Sequence, residues 1–207
     1  MKLIIFGATG TVGRQLVDQA LAQGHQVTAF VRDPAALKLE HRGLTHQAGD
    51  VLDPNAVSDA VRGHDAVLIA LGAGRKGTVR AVGTKHVIEA MKRHGVRRLV
   101  CQSTLGAGDS RPVLNFFWKR IMFGLLLREA YADHEAQEAL VKRSGLDWTI
   151  VRPGAFTDGP VTGAYKHGFA PTETDLKLKI SRADVASFML RQLTGSAYLH
   201  RSPSLSY

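Results

Sequence analysis

Two kinds of hydrophobic pattern alternate along the chain. Short apolar runs rich in β-branched and aromatic residues predict buried strands at residues 3–6, 26–31, 44–47, 66–70, 99–102 and 148–151. Between them, apolar residues at helical spacing predict helices at residues 11–23, 55–62, 79–94 and 133–144. Four glycines follow these helices where C-terminal caps are expected: Gly24, Gly63, Gly95 and Gly145.

This alternation predicts an α/β fold with a doubly wound parallel sheet, the Rossmann fold. Parallel neighbours require crossover connections, and helices of this length supply them. A chain of 207 residues fits one domain, so we expect a single domain over residues 1–207. Ligands of such sheets bind at the carboxyl ends of the strands. The residues that follow each strand are therefore the candidate site.

The first strand runs directly into a glycine turn formed by Gly7, Gly10 and Gly13. Their spacing is Gly-x-x-Gly-x-x-Gly rather than the commoner Gly-x-Gly-x-x-Gly. A helix is predicted to begin inside this turn, and a helix N-terminus offers free N–H groups and positive potential to a pyrophosphate. A glycine trio alone is a weak signal, but the strand before it and the helix after it make this one specific.

The second strand ends in Phe30 and Val31, and Arg32 is the first polar residue after them. An arginine here suits the 2′-phosphate of NADP, whereas an acidic residue suits the ribose of NAD. Because Arg32 is the first polar residue after the strand, the sequence favours NADP over NAD. The alternative is that Arg32 is an ordinary surface cation and that Asp33 is the ribose ligand.

The ends of the third and fourth strands also carry candidate cofactor contacts. Asp50 and Val51 are placed to bracket an adenine ring with a polar group and an apolar face. Leu71, Gly72 and Ala73 belong to a run of small residues that lets the backbone pass near the cofactor. For both segments the alternative is ordinary turn chemistry.

The ends of the fifth and sixth strands point to the reacting end of the cofactor. Ser103 is placed to hydrogen-bond the nicotinamide carboxamide or a substrate, although a serine there also suits a cap or turn. Cys101 lies within the strand and is expected to be a small buried hydrophobic residue, not a reactive thiol. Pro153 and Gly154 form a turn placed to close over the nicotinamide.

One common catalytic pair is missing. Short-chain dehydrogenases use Tyr-x-x-x-Lys, in which the lysine lowers the pKa of the tyrosine for proton transfer. None of the four tyrosines has a lysine four residues on, and Tyr131 has Glu135 there instead. This argues against a conventional alcohol dehydrogenase.

The composition narrows the partners and the compartment. The net charge of +9 is spread in short clusters between acidic residues, so we expect anionic small molecules and not nucleic acid. Cys101 is the single cysteine, which excludes an internal disulfide and fits a cytoplasmic protein. The chain begins with a strand pattern instead of a signal peptide, and no apolar run approaches the ~20 residues of a membrane span. No metal site is predicted.

Residues 112–128 are unusually apolar and aromatic. Three interpretations remain open for this stretch, which we call the aromatic segment. It is a buried helix or lid that completes the core, or a wall on which a planar substrate stacks. The third is an interfacial membrane helix in which Lys119 and Arg120 snorkel.

Taken together, the motifs resemble one family. The glycine turn and residues 31–33, 49–51, 144–146 and 163–165 resemble the atypical short-chain dehydrogenases with an NmrA-like NAD(P)-binding domain. Within that group, residues 180–191 and the final Tyr207 are similar to the biliverdin-IXβ reductases, also called flavin reductases. The resemblance spans essentially the whole chain and implies a monomeric, NADPH-dependent reductase of flavins (FMN, riboflavin) and linear tetrapyrroles (biliverdin).

The resemblance also implies roles for individual residues. The implied cofactor contacts are Gly7, Thr9, Gly10, Thr11, Val12, Arg32, Asp50, Val51, Leu71 and Gly72. It implies that Ser103 and His134 lie near the nicotinamide and the substrate, and Pro153 joins them as a candidate substrate contact. Family members can carry a histidine where this chain has Gly154, so the pocket there is expected to be more open or differently polar. The C-terminal third of the chain is expected to form the substrate pocket.

Two functions from different classes follow. In the first, the chain reduces conjugated acceptors, with Ser103 as the catalytic residue that orients and polarises them. Because such acceptors stabilise the added charge themselves, solvent or a substrate pyrrole would supply the proton. In the second, the domain is a non-catalytic sensor that binds NADP(H) and reports its redox state to a protein partner. The glycine turn and Arg32 serve both functions equally.

Overall fold

The computed structural model describes residues 1–72, 74 and 77–207. All six predicted strands are present: β1 Lys2–Phe6, β2 Gln26–Val31, β3 Leu44–Ala48, β4 Ala66–Ile69, β5 Arg98–Gln102 and β6 Asp147–Pro153. So are the four helices: α1 Thr11–Ala22, α2 Pro54–Val61, α3 Val79–His94 and α4 Arg128–Lys142. Most boundaries agree within two residues, but α4 begins five residues before the predicted start at Asp133.

The sheet confirms the predicted doubly wound fold. Its strand order is β3-β2-β1-β4-β5-β6, and all these strands are parallel. The direction of strand addition reverses between β1 and β4. In open α/β sheets a ligand crevice lies at the carboxyl ends of the strands beside such a reversal.

The C-terminal part of the chain adds elements that the pattern did not predict. These are β7 Ala155–Thr157, β8 Lys166–His167, β9 Lys179–Ser181, α5 Arg182–Arg191 and β10 Ser204–Ser206. Strand β10 pairs parallel with β6 and antiparallel with β8, while β7 and β9 form a separate two-stranded sheet. Strands of two or three residues are too short to show an alternating pattern.

Buried side chains fill both faces of the main sheet. Successive residues of β1 point to opposite faces, so Leu3 and Ile5 join the core layer that includes α1 and α5. Ile4 and Phe6 join the other layer, which includes residues of α2, α3 and α4. Residues 3–6 of β1 and all four residues of β4 are therefore apolar, as expected for a parallel sheet covered on both sides.

Three of the four predicted helix caps are confirmed. Gly24, Gly63 and Gly95 have positive φ and lie at or directly after the C-caps of α1, α2 and α3. Gly145 also has positive φ, but it lies two residues beyond Arg143, the C-cap of α4. A left-handed residue at this position lets the chain leave the helix while its last carbonyl groups find partners.

The aromatic segment is not a buried core helix, so that interpretation is wrong. It contains a π-helix, Phe117–Leu126, none of whose residues is buried, and α4 follows it directly. Because the segment lies beyond the carboxyl ends of the strands, its apolar side chains do not reach the core under the sheet. Among the described residues, no helix is long and apolar enough to cross a bilayer.

Candidate active site

The glycine turn is shaped by close packing. A Cβ atom on Gly7, whose φ is +86°, would collide with the carbonyl oxygen of Ala70 at the end of β4. A Cβ atom on Gly13 would collide with the carbonyl oxygen of Gly7. Gly10 is the N-cap of α1 and provides no side-chain cap, so first-turn N–H groups remain available to a ligand. This arrangement fits a pyrophosphate at the helix N-terminus.

A cleft of about 520 Å³ extends from this turn across the carboxyl ends of β1, β2 and β3. Eight of the ten residues expected at the cofactor line it: Gly7, Thr9, Gly10, Arg32, Asp50, Val51, Leu71 and Gly72. The structure therefore brings together residues that are far apart in sequence. Ala73 lies outside the described residues.

The surroundings of Arg32 separate the two interpretations of the second strand end. Arg32 is exposed and lines the cleft, whereas Asp33 does not. The Asp33 carboxylate accepts a hydrogen bond of 3.0 Å from the N–H of Ala35 and caps a 3₁₀ turn. Because Arg32 lines the cleft and Asp33 does not, the geometry favours Arg32 as the candidate for the cofactor's adenosine end.

Sequence reasoning missed Arg14, which braces this end of the cleft. Its guanidinium donates to the carbonyl of Thr9 at 3.1 Å and to the carbonyl of Ala36 at 2.8 Å. It thereby links the glycine turn to the loop after β2. Nothing in the sequence signals this link, because it joins two loops through tertiary packing.

Asp50 combines turn chemistry with a place in the cleft. One of its carboxylate oxygens accepts a hydrogen bond of 2.9 Å from the N–H of Leu52. The neighbouring Val51 is buried and faces α3 so closely that a Cβ atom on Gly83 would lie 2.8 Å from it. The two interpretations of this strand end therefore coexist: the turn holds Asp50 at the edge of the cleft.

A second cavity, of about 260 Å³, continues from the cleft and shares Gly10, Leu71 and Gly72 with it. The remaining predicted site residues line it: Thr11, Val12, Ser103, His134 and Pro153. Trp118 and Phe123 also line it, as the substrate-wall interpretation of the aromatic segment expects. Other lining residues were not predicted, among them Arg80, Gln102, Phe156 and Leu178. Most of the lining comes from the ends of the central strands and from residues 114–134, so the C-terminal third supplies only part of it.

Four lining side chains form what we call the polar quartet: Arg80, Gln102, Ser103 and His134. The Arg80 Nε, Gln102 Oε1, Ser103 Oγ and His134 Nδ1 atoms are buried and make no hydrogen bond with any described residue. Buried polar atoms are nearly always hydrogen-bonded in folded proteins. Four unpaired atoms around one cavity therefore mark it as a place where a polar ligand binds.

Asp133 of helix α4 positions one member of the polar quartet, Arg80. Its carboxylate accepts from the N–H groups of Arg80 and Ala81 at 3.1 and 2.9 Å, and the Arg80 guanidinium lies 3.3 Å away. Thr78, the N-cap of α3, provides no side-chain cap, so Asp133 caps α3 from a neighbouring helix. The same carboxylate holds Arg80 in place at the cavity.

His134 is neutral in this site. Burial, and then the positive charge of Arg80, lower the pKa of His134 to about 3. Near neutral pH its ring is therefore a neutral imidazole with one donor and one acceptor nitrogen. It is not the imidazolium form that would act as a general acid.

The inner side of the aromatic segment forms a wall of the cavity. Trp118 and Phe123 line it, with ring centroids 5.7 Å apart, and Phe123 stacks in turn on Tyr131 at 5.0 Å. Tyr131 donates a hydrogen bond of 2.9 Å to the carbonyl of Gly106. Burial and the nearby Glu135 raise the pKa of Tyr131, so this tyrosine supports the wall and is not an activated acid.

The end of β6 closes the cavity on another side. A Cβ atom on Gly154 would lie 2.7 Å from the backbone carbonyl group of Leu178, so no larger residue fits at this position. Leu178 lines the cavity and has a φ of +54°, which is rare for a residue with a branched side chain. The absence of a histidine at Gly154 therefore does not open the pocket, because Leu178 occupies the space.

Cys101 is buried, and burial raises the pKa of its thiol well above the ordinary value. The expected role as a small buried hydrophobic residue is confirmed.

Comparisons with known proteins agree with this geometry. The model of a family described as NAD(P)H-binding matches residues 7–196. The chain belongs to this family. It is an oxidoreductase-type family with reductases among its relatives, and the chain is accordingly an NAD(P)H-binding protein.

Three known proteins are similar to this chain in sequence or in fold. A UPF0659 protein of Saccharomyces cerevisiae is 32% identical over 205 residues, which cover 93% of this chain and 87% of the yeast protein. An anaerobillin reductase from Escherichia coli O157:H7 has a TM-score of 0.81 at 28% identity, covering 99% of this chain and 96% of its own. A short-chain dehydrogenase/reductase from Veillonella parvula, solved in complex with NADP, shares the fold with a TM-score of 0.81 at 17% identity, covering 100% and 94%.

Proposed function

We propose that this NAD(P)H-binding protein is an NADPH-dependent reductase of planar conjugated acceptors, namely flavins such as FMN and riboflavin and linear tetrapyrroles such as biliverdin. The observation that carries the proposal is the cavity beside the cofactor cleft, which is lined by the polar quartet and by aromatic side chains. The similarity to an anaerobillin reductase supports it.

The residues expected at the cofactor would have separate roles. The first-turn N–H groups of α1, at Thr11 and Val12, would hold the pyrophosphate, and the Arg32 guanidinium would bind the 2′-phosphate. Asp50 and Val51 would flank the adenosine end. When bound, the cofactor supplies the hydride. Gly72 and Leu71 belong to both the cleft and the cavity, so they mark the point where donor and acceptor meet.

The cavity suits one face of a flat acceptor. Trp118 and Phe123 offer aromatic surfaces for stacking, and the polar quartet offers hydrogen bonds to ring carbonyl and nitrogen atoms. The volume of about 260 Å³ lies just below the ~300–1,000 Å³ typical of small-molecule pockets. We therefore expect the fused rings of a flavin to fill it and a tetrapyrrole to extend past Phe156 into solvent.

The residues of the cavity position the acceptor without donating the proton. Among the described lining residues there is no carboxylate, tyrosine or lysine, and His134 is neutral. The Ser103 hydroxyl donates a hydrogen bond to the acceptor and polarises it, while solvent or an N–H group of the substrate supplies the proton. Orientation beside the cofactor then accounts for most of the rate enhancement.

The test is NADPH oxidation, followed by absorbance, with FMN, riboflavin and biliverdin as acceptors. Loss of one hydrogen bond is worth ~1–1.5 kcal/mol, so Ser103→Ala should lower kcat/KM about tenfold. The wild-type rate should show no essential acid between about pH 5 and 8, because His134 titrates near 3. Ser196→Ala, an exposed serine outside the cavity, is the matched control.

Two results would count against this mechanism or function. Complete loss of turnover in Ser103→Ala, with one essential acid in the wild-type pH profile, would make Ser103 part of a proton-transfer path. NADPH binding without oxidation by any acceptor would favour the redox sensor instead.

We also propose that the protein acts in the cytoplasm as a monomer. The support is that the single cysteine is buried and unavailable for cross-linking between copies. Light scattering across a concentration series, with and without NADPH, tests the oligomeric state.

A further inference from the structure

The aromatic segment has a second apolar face, which points to solvent. Five large apolar side chains lie on it: Phe116, Phe117, Ile121, Leu125 and Leu126. They make up five of the eleven exposed large hydrophobic residues in the described part of the chain, and Phe116 and Leu125 are 74% and 71% exposed. We call these five residues the outer face.

The π-helix explains why one short segment has two apolar faces. Its hydrogen bonds close over five residues, as in the bond of 2.7 Å from the Leu127 N–H to the Met122 carbonyl. Residues four or five apart therefore align. Trp118, Phe123 and Leu127 align toward the cavity, while Phe117, Ile121 and Leu125 or Leu126 align toward solvent. Core packing therefore does not account for the outer face.

The charge around the outer face is mostly positive. Residues 110–128 contain four cations and no aspartate or glutamate, and Asp109 and Glu129 flank them. Arg111 lies over the Tyr131 ring and Lys119 donates to the carbonyl of Pro112, so Arg120 and Arg128 are the cations that remain for the outer face. The whole chain also carries a net charge of +9. Exposed apolar side chains rimmed by cations are the pattern of helices that lie in the interface of an anionic bilayer.

We propose that the outer face docks on the surface of a membrane that contains anionic lipids. Phe116 and Leu125 would enter the boundary between head groups and acyl chains, while Arg120 and Arg128 meet lipid phosphates. A second copy of the chain fits less well, because symmetric pairing would bring Arg120 and Arg128 of both copies together. This inference does not depend on the proposed reductase activity, since none of these side chains lines the cleft or the cavity.

The experiment is co-sedimentation of the full chain with vesicles of phosphatidylcholine alone or of equal parts phosphatidylcholine and phosphatidylglycerol. We expect binding to the mixed vesicles, weakened by salt, and little binding to phosphatidylcholine. The double variant Phe116→Ser and Leu125→Ser should lower the partition coefficient at least tenfold. Val161→Ser with Leu199→Ser, which changes exposed apolar residues elsewhere, is the matched control.

A charge variant tests the second half of the argument. Arg120→Gln with Arg128→Gln should lower binding to the mixed vesicles by about fivefold for each charge removed. NADPH binding, measured by fluorescence, should be unchanged in all variants and serves as the check of folding. If the Phe116 and Leu125 variant does not fold, the charge variant alone decides.

Three outcomes would overturn the proposal. One is no binding of the wild type to mixed vesicles at low salt. Another is equal binding by the wild type and either variant. The third is a concentration-dependent dimer, or a complex with an acidic protein, that the outer-face variant abolishes while vesicle binding is unaffected.

Discussion

Replacing Arg32 with glutamine should separate NADPH from NADH. Arg32 is exposed at the rim of the cleft, where its proposed partner is the 2′-phosphate. A charge-assisted hydrogen bond is worth about 1.5–3 kcal/mol, and solvent screening at an exposed site favours the lower half of that range. Since 1.4 kcal/mol corresponds to a factor of ten, KM for NADPH should rise about 10- to 30-fold. NADH has no 2′-phosphate, so its KM should not change.

The assay measures KM for both cofactors at a fixed concentration of FMN, and direct binding by fluorescence quenching gives the same comparison without turnover. Arg42→Gln is the matched control, because Arg42 is an exposed arginine at the opposite end of the sheet. A second variant, Asp33→Ala, tests the alternative ribose contact. It should remove the cap on the Ala35 N–H and leave KM for NADH unchanged.

The reasoning fails if Arg32→Gln raises KM for both cofactors equally, since the effect would then be structural. It also fails if KM for NADPH changes less than twofold. A rise in KM for NADH in Asp33→Ala would instead assign the ribose contact to Asp33 and make NAD the preferred cofactor.

Two further predictions concern the fold and the cavity. Glu138→Gln should destabilise the protein by about 3 kcal/mol in urea unfolding, because it leaves the Arg152 guanidinium, bound at 2.6 and 2.8 Å, without its buried partner. Burial acts to raise the pKa of Glu138, but the hydrogen bonds and charges of Arg152 and Lys142 hold it below the ordinary value. The wild type should therefore lose this stability as pH falls below about 4.3, and the variant should not. Equal acid sensitivity of the wild type and Glu138→Gln would contradict this. So would a free energy of unfolding for Glu138→Gln no lower than that of the exposed control Glu129→Gln. Trp118→Ala should raise KM for FMN about tenfold, as expected for a lost stacking contact, with KM for NADPH unchanged; equal increases in both would show that the wall supports the fold and not the acceptor.

Much of the cofactor half of the site was predictable because its signals are local. The run of β1, the glycine turn and the start of α1 lie within a dozen residues, and the glycine at position 7 is needed for its positive φ. The rule that ligands bind at the carboxyl ends of parallel strands then selects Arg32, Asp50 and Leu71 from the sequence alone. The strand order confirms the geometry on which that rule depends.

The acceptor half was less predictable because its residues act through contacts between distant segments. Ser103 stood out by its place after a strand, and His134 only by a family resemblance. Arg80 did not stand out, since its role depends on Asp133, which lies fifty-three positions away and caps α3. The early start of α4 follows from the π-helix that runs into it. Sequence periodicity is measured against helices of 3.6 residues per turn and does not detect this geometry.

The sequence by itself determined the doubly wound fold, the NAD(P)H cleft and the residues that line it, because these depend on short-range hydrophobic pattern and on backbone freedom at glycine. Only the tertiary structure decided what surrounds the acceptor. It gathered four unpaired polar atoms from three elements at one cavity, filled the space beside Gly154 with Leu178, and turned one face of the aromatic segment inward and the other to solvent. These contacts depend on which distant segments pack against one another, and a local pattern of residues in the sequence does not specify that packing.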